Sequence, residues 1–303
     1  MTGIEQFDVA LPHGITLACR AAGKPGRPVL VFLHGFPQAA FVWDALLLHW
    51  SAPEHGGYRC IAPNLRGYAG SSAPADVQAY RPRHLVQDIS ALIRALGGPG
   101  VAALVAHDWG GAIAWNLAAQ EPALLQRLVI INAPHPLLFA RELAQSPAQQ
   151  AASAYMNFLA RPDAAQKLAE DDFRRLWALL KGMGTGQENN WLNEALQAQH
   201  RAAWQQGLAG PCAYYAATPL RPPAQGQQPD KRPTPTLGRI EVPTLVIWGM
   251  RDQALLPGLL EDLQDHVPRL RVHRVADASH WIVHERSALV IEQITGFLQR
   301  EPG

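Results

Sequence analysis

Short apolar runs alternate with helical patterns through the first third of the chain. Phe7–Leu11 and Thr16–Ala21 flank the turn His13-Gly14, which predicts an antiparallel hairpin. Val29–Leu33 is an unbroken Val-Leu-Val-Phe-Leu run, the pattern of a strand buried on both faces. Tyr58–Ala62, Ala102–Ala106 and Leu128–Ile131 read as further strands, with helical stretches near residues 40–50, 83–96 and 110–120. Strands alternating with helices predict a mostly parallel sheet covered on both sides.

From about Pro134 the pattern changes. Residues 137–217 show helical periodicity and no convincing strand, and are rich in Ala, Leu, Gln and Trp. Thr218 to Gly238 then carries six prolines in 21 residues: Pro219, Pro222, Pro223, Pro229, Pro233 and Pro235. That density forbids a helix interior or a central strand, so the segment is expected to be a connector or surface loop. Thr244–Trp248 and Arg271–Val275 resume the strand pattern, and Ser287–Arg300 reads as a last helix. The expected organisation is an α/β core over 1–136 and 237–303, interrupted by a helical insertion with its connector over 137–236. No internal repeat is present.

Composition narrows the function class. The chain has 303 residues, 48% hydrophobic and 17% charged, which suits a soluble enzyme with a large core. Lys plus Arg number 26 against 25 Asp plus Glu, so no field draws nucleic acid or an anionic membrane surface. No apolar run reaches the roughly 18 residues of a membrane span. Met1–Gln6 has neither a basic nor an apolar leader region. The three cysteines, Cys19, Cys60 and Cys212, are far apart and read as reduced, buried thiols, so a cytoplasmic location is expected. Whether the chain is a monomer or a dimer is left open.

Leu104-Val105-Ala106-His107-Asp108-Trp109-Gly110-Gly111-Ala112 is the most informative stretch. A strand ends at Ala106 and a helix begins near Gly110, with Asp108 on the sharp turn between them. Small residues at −2 and +2, Ala106 and Gly110, relieve the crowding of such a bend. This is the frame of a nucleophile elbow with Asp where Ser usually stands. A helix N-cap is the plain alternative for Asp108. A serine nucleophile is ruled out, because no Gly-x-Ser-x-Gly occurs and Ser71-Ser72 follow no strand.

A carboxylate nucleophile leaves an ester, so a base must activate water. The elbow's usual chain order is nucleophile, acid, then His. Asp252 lies just past the strand Leu245–Trp248, and His280 lies in the loop after Val275. His280 is therefore expected as base and Asp252 as the acid that sets its tautomer, with Asp277 as Asp252's rival. His280 and His284 sit four apart, but no third ligand suggests a metal. His34-Gly35-Phe36-Pro37 follows the strand ending at Leu33. Its Phe36 N–H and that of Trp109 are expected to form an oxyanion hole, with Pro37 a candidate for a cis bond.

These motifs together resemble the epoxide hydrolases of the α/β-hydrolase fold. The resemblance rests on His34–Pro37, on Arg66-Gly67-Tyr68-Ala69-Gly70-Ser71 and on His107–Gly111. Ala69 departs from the family's glycine in a loop. Asn132-Ala133-Pro134-His135-Pro136 and Ser279-His280-Trp281 extend the similarity over nearly the whole chain. It implies an eight-stranded, mostly parallel sheet with an inserted helical cap, a small apolar epoxide as substrate, and no metal or organic cofactor. It also implies two cap tyrosines that bind the epoxide oxygen and protonate it. Ala154–Pro162 places the first at Tyr155, and Gly210–Tyr215 places the second at Tyr215, with Tyr214 its neighbour. His34, Pro37, His107, Met156, Tyr214 and Trp281 are the candidates for the pocket wall. Among the cap's large apolar side chains, Phe139, Leu143, Phe158, Trp177, Trp191 and Trp204 also suggest an apolar pocket. The rival activities are a haloalkane or haloacid dehalogenase, which uses the same Asp-His-Asp groups, and a non-catalytic ligand-binding protein on this scaffold.

Overall fold

The structure is a computed structural model and describes residues 3–96, 98, 100–184, 191–223 and 236–300. Its strands are β1 (Glu5–Ala10), β2 (Thr16–Ala22), β3 (Val29–Leu33), β4 (Arg59–Pro63), β5 (Ala103–His107), β6 (Leu128–Ile131), β7 (Thr244–Gly249) and β8 (Leu270–Val275). They form one eight-stranded sheet in the order β1-β2-β4-β3-β5-β6-β7-β8. β2 runs antiparallel to β1 and β4, and the other pairs are parallel. The sheet matches the expected one, with strand ends shifted by a residue or two.

The unbroken apolar runs have a direct cause. Leu30 and Phe32 of β3 join Val105, Val129 and Ile247 on one face, under α1 (Asp44–Ser51) and the C-terminal helix Ser287–Leu298. Val31 and Leu33 join Leu104, Ile130 and Val246 on the other face, against α2 (Pro82–Ala95) and α3 (Trp109–Gln120). Both faces of each central strand are dry, so a polar position has no place in them. Full burial of each such aliphatic side chain contributes about 1.5–3 kcal/mol. β2 instead alternates, with Leu17, Cys19 and Ala21 packed inward against Ile61 and Leu92. Cys19, Cys60 and Cys212 are each buried, one in each apolar cluster, and burial pushes each thiol up to about 12.

Among the described residues between β6 and β7, every regular element is helical. These are α4 (Pro136–Gln145), α5 (Pro147–Ala152), α6 (Tyr155–Leu159), α7 (Ala164–Gly182), α8 (Glu194–Gln205) and α9 (Ala209–Ala217). Prolines open α4 and α5, where a missing N–H costs nothing, and Ser146 and Asn193 cap α5 and α8. Helix α7 breaks within its span. Glu170 is extended, and Asp171, Asp172 and Phe173 have φ of 51°, 50° and 61°. Residues 218–223 and 236–243 have no regular structure, as the prolines require. Pro229, Pro233 and Pro235 of the expected connector lie outside the described residues. Among the described residues, no helix is long and apolar enough to cross a membrane.

The register of the parallel strands sets the site. Leu33 pairs with Ala106, His107 with Ile131 and Ile131 with Ile247. The strands therefore end level, and the loops that follow them open at one edge. There β3 lies between β4 and β5, the point where the winding reverses and where such sheets bind ligands.

Candidate active site

Asp108 stands between β5 and α3 with φ 50° and ψ −121°, a conformation rare for a residue with a side chain. Glycine surrounds it for a steric reason. A Cβ on Gly110 would sit 2.5 Å from the Leu33 carbonyl oxygen, and one on Gly35 would sit 2.2 Å from Asp108 Oδ1. The Phe36 N–H donates to Asp108 Oδ1 at 2.7 Å, and the neighbouring Trp109 N–H also lowers the pKa of this carboxylate. The Phe36–Pro37 peptide is cis, as expected from the loop's position. Burial raises the Asp108 carboxyl above its usual range, against the lowering effect of His280 and the two N–H groups.

His280 and Asp252 come together from the loops after β8 and β7. His280 Nδ1 lies 2.7 Å from Asp252 Oδ2, and His280 Nε2 lies 3.8 Å from Asp108 Oδ2. Asp252 is saturated. Its Oδ2 also accepts from Asn132 Nδ2 at 2.6 Å, and its Oδ1 accepts from the Ala254 and Leu255 N–H groups at 2.8 and 2.9 Å. An acceptor-only carboxylate makes Nδ1 the donor, so in the neutral imidazole Nε2 keeps its lone pair toward Asp108. Burial pulls the His280 imidazole down, but Asp252, Asp108 and Glu285 outweigh it and the net shift is upward. The rival acid, Asp277, is on the surface and pairs with Arg286.

Two supporting groups went unread in the sequence. Asn132 holds φ 40°, accepts from the Gly249 N–H through Oδ1 and donates to Asp252 through Nδ2. The sequence showed it only as one letter of a longer motif, though an asparagine ending a buried strand is the residue type that tolerates positive φ. Glu285 accepts from both the N–H and the hydroxyl of Ser279, next to His280.

Tyr155 opens α6 and Tyr215 lies in α9, with ring centroids 6.1 Å apart. Tyr215 stands edge-on to both Phe36 and Trp109, with centroids 5.2 Å from each. Burial, then nearby charges including Asp108, pushes both phenols up, so both stay protonated donors. Tyr214 turns away and donates to the Arg66 carbonyl oxygen at 2.8 Å.

Asp108, Trp109, Tyr155 and Tyr215 share one cavity, to whose wall His280 and Asp252 do not belong. Asp108, Trp109 and Ala112 form its floor, and Pro134, Pro136, Phe139 and Leu255 one side. Tyr155, Met156, Tyr215, Thr218 and Leu220 close it from the cap. Of the six wall candidates only Met156 lies on it. His34 is fully buried and accepts from the Leu65 N–H, with burial lowering it to about 4. His107 Nε2 donates to the His280 carbonyl oxygen at 2.9 Å, holding that loop from behind. Pro37 borders a separate small cavity, Tyr214 is bound to the core loop, and Trp281 is packed out of reach. Of the cap's other large apolar side chains singled out in the sequence, Phe139 alone reaches the cavity. Trp204 instead donates to the Pro37 carbonyl oxygen, and Trp191 stacks on His284. Among the described residues, no group of three or more His, Cys, Asp or Glu could hold a metal ion.

A mostly parallel sheet with a strained aspartate at the strand-to-helix elbow, and a His–Asp pair at the same edge, defines an α/β-hydrolase. The family model for the alpha/beta hydrolase fold matches residues 28–287. The AB hydrolase superfamily protein YfhM of Bacillus subtilis (strain 168) is 33% identical over 95% of this chain and 96% of its own length. Epoxide hydrolase 4 of Mus musculus is 30% identical over 93% of this chain and 76% of its own. A crystal structure of the Bacillus megaterium epoxide hydrolase with an inhibitor superposes with a TM-score of 0.86, at 29% identity, over 97% of this chain and 100% of that one. The chain belongs to the epoxide hydrolases of the α/β-hydrolase fold.

Proposed function

We propose that this hydrolase converts small apolar epoxides to vicinal diols through an ester on Asp108. One observation carries the reading. Two protonated tyrosines share an apolar cavity with a carboxylate whose one oxygen is held by a backbone N–H and whose other faces a histidine. The helices of 137–236 serve as a cap over a core of 1–136 and 237–303.

The epoxide oxygen accepts hydrogen bonds from Tyr155 and Tyr215, and a ring carbon faces Asp108. Oδ2 attacks that carbon, the ring carbon–oxygen bond breaks, and one tyrosine protonates the departing alkoxide. His280 then takes a proton from water, and the hydroxide adds to the Asp108 carboxyl carbon. Oδ1 carries the developing charge between the Phe36 and Trp109 N–H groups, each worth roughly 10²–10³ in rate. Collapse breaks the ester and releases the diol. The leaving oxygen takes one water proton, and the other restores the tyrosine. Asp252 keeps His280 in the reactive tautomer throughout.

The dehalogenase alternative needs free N–H donors for a halide ion. Here the Trp109 ring stands edge-on to Tyr215 with centroids 5.2 Å apart, and two tyrosines line the same cavity, which favours a leaving oxygen. The non-catalytic alternative predicts loss of a reacting group, yet Asp108, Asp252 and His280 are all present and in reach.

A single turnover of excess enzyme in ¹⁸O-water tests the route. The expected first diol carries no solvent oxygen, and the label enters the Asp108 carboxylate. Solvent oxygen found directly in that first diol removes the ester from the mechanism.

A further inference from the structure

The loop carrying the acid is held from behind by a side chain of the cap. Gln149 lies in α5 and is 1% exposed, with both amide hydrogens donated and the amide oxygen accepting. Its Nε2 donates to the Ala254 carbonyl oxygen at 2.7 Å and to Ser153 Oγ at 2.9 Å. Its Oε1 accepts from the Leu256 N–H at 3.0 Å. From the other side, Asp252 Oδ1 accepts from the N–H groups of Ala254 and Leu255. The tripeptide Ala254-Leu255-Leu256 thus stands between the Asp252 carboxylate and a buried amide more than a hundred positions away in sequence, and its Leu255 side chain forms part of the cavity wall.

We propose that Gln149 is a positioning residue for the second half-reaction, rigidly setting the Asp252 carboxylate and hence the His280 tautomer and aim. The inference rests on the ester route above. The physical case is one of exchange. Without Gln149, the buried Ala254 carbonyl and the half-buried Leu256 N–H lose their partners, and the loop must move to find others. Any such movement pulls the two N–H groups off Asp252 Oδ1. The carboxylate then has a second orientation available, and His280 Nδ1 loses its fixed acceptor. Ring opening uses Asp108 and the tyrosines, which stand on β5–α3 and on the cap helices and not on this loop. Ester hydrolysis depends on His280 and is the step that suffers.

The choice of amide fits this duty. A Gln presents one acceptor and two donors on a single plane, and the loop offers one N–H and one carbonyl on the same side, with Ser153 taking the remaining donor. Glutamate in its charged form keeps the acceptor and repels the carbonyl. In its protonated form it supplies both contacts to the loop.

The test compares full-length wild type, Gln149→Met and Gln149→Glu, mixed rapidly with a neutral aryl epoxide, quenched and weighed as intact protein. His280→Gln serves as the standard for the trapped ester. In Gln149→Met, hydrolysis of the ester is expected to slow roughly 10- to 100-fold while its formation changes by less than about threefold, so kcat and KM fall together. In Gln149→Glu the ratio of its hydrolysis rate to that of wild type is expected to rise as pH falls through the buried carboxyl. Equal slowing of both steps, no slowing of either, or a ratio indifferent to pH overturns the assignment. If the Met variant does not fold, the pH response of the Glu variant decides the question alone. An ester absent even from His280→Gln removes the ester route itself, and this inference with it. That outcome is distinct from an ester that forms normally and is hydrolysed equally fast in every Gln149 variant, which overturns Gln149 alone.

Discussion

The φ of 50° at Asp108 is backbone strain of about 1–3 kcal/mol, and the loops around it explain why it persists. Phe36 and Trp109 aim their N–H groups at the carboxylate only in this conformation, and Gly35 and Gly110 give the backbone room to approach. The same residues set a pH dependence. In the proposed route Asp108 must be ionised to attack, and burial raises it. His280 must be neutral to take a proton, and its net shift is above the ordinary 6.5. Both need the deprotonated form, so activity is lost as pH falls. Direct NMR titration of the His280 imidazole in the resting enzyme is expected to give a midpoint above 6.5. Single-turnover hydrolysis of the ester, in which Asp108 carries no charge, is expected to fall tenfold per pH unit below the imidazole midpoint of that state. No alkaline limb is expected up to the ordinary phenol value of 10.0, because both cap tyrosines are shifted upward. A resting-enzyme midpoint under 6.5 would contradict the raised imidazole. Tyrosine specificity is checked separately. Tyr155→Phe combined with Tyr215→Phe is expected to slow epoxide opening by roughly 10²-fold or more, and turnover of a reactive alkyl halide much less. Equal loss on both substrates would deny the tyrosines a role specific to oxygen leaving groups.

Helix α9 delivers Tyr215, and its docking is a backbone contact. A Cβ on Gly210 would lie 2.4 Å from both the Cα and the carbonyl oxygen of Gly67, so the two glycines touch where cap meets core. Tyr214 pins the helix there by donating to the Arg66 carbonyl oxygen. Arg66 is itself clamped on buried Asp88 by two bonds of 2.7 and 2.6 Å, and His13 of the first hairpin reaches the same carboxylate. Gly210→Ala forces the helix away from this chain of contacts. It is expected to destabilise the protein by about 1–3 kcal/mol, as overpacking does, and to lower kcat by displacing Tyr215. An unchanged urea midpoint with unchanged kcat would show that the seam has slack. Element boundaries in the core were legible, because strands dry on both faces announce themselves. The break in α7 was not. Glu170–Phe173 contains neither glycine nor proline, and the turn is held by contacts from elsewhere: Arg201 on Asp172, the Trp177 indole on the Asp172 carbonyl, and Phe173 in the core.

At the scale of the whole molecule, cap and core share one apolar cluster. Leu138, Phe139, Met156, Leu176 and Trp204 of the insertion pack in the same body as Leu33, Leu104 and Trp248 beneath them. The site cavity is the part of that contact left unfilled, and its wall comes from separate stretches of chain between Asp108 and Leu255. A near-neutral chain, 26 basic against 25 acidic residues, adds no long-range field to select a charged ligand. Selection falls to the cavity's shape and its two hydroxyl donors. In the proposed mechanism the helical insertion contributes what the sheet edge alone lacks, an acid for the leaving oxygen and a cover over the cavity.

The sequence by itself determined the sheet, the elbow and the order of its partners. Those features follow from short-range sterics: small residues beside a sharp turn, apolar runs in dry strands, a carboxylate and a histidine just past strand ends. Tertiary structure alone decided the rest. It turned Tyr215 into the cavity and Tyr214 onto Arg66, although the two are adjacent and chemically alike. It put His34 and His107 behind the site as loop supports, chose Asp252 over the exposed Asp277, and brought Asn132 and Gln149 onto the acid loop. Each of these depends on which face of a helix meets the core and how far it stands off. That distance is set by packing between segments remote in sequence, down to two glycines in contact.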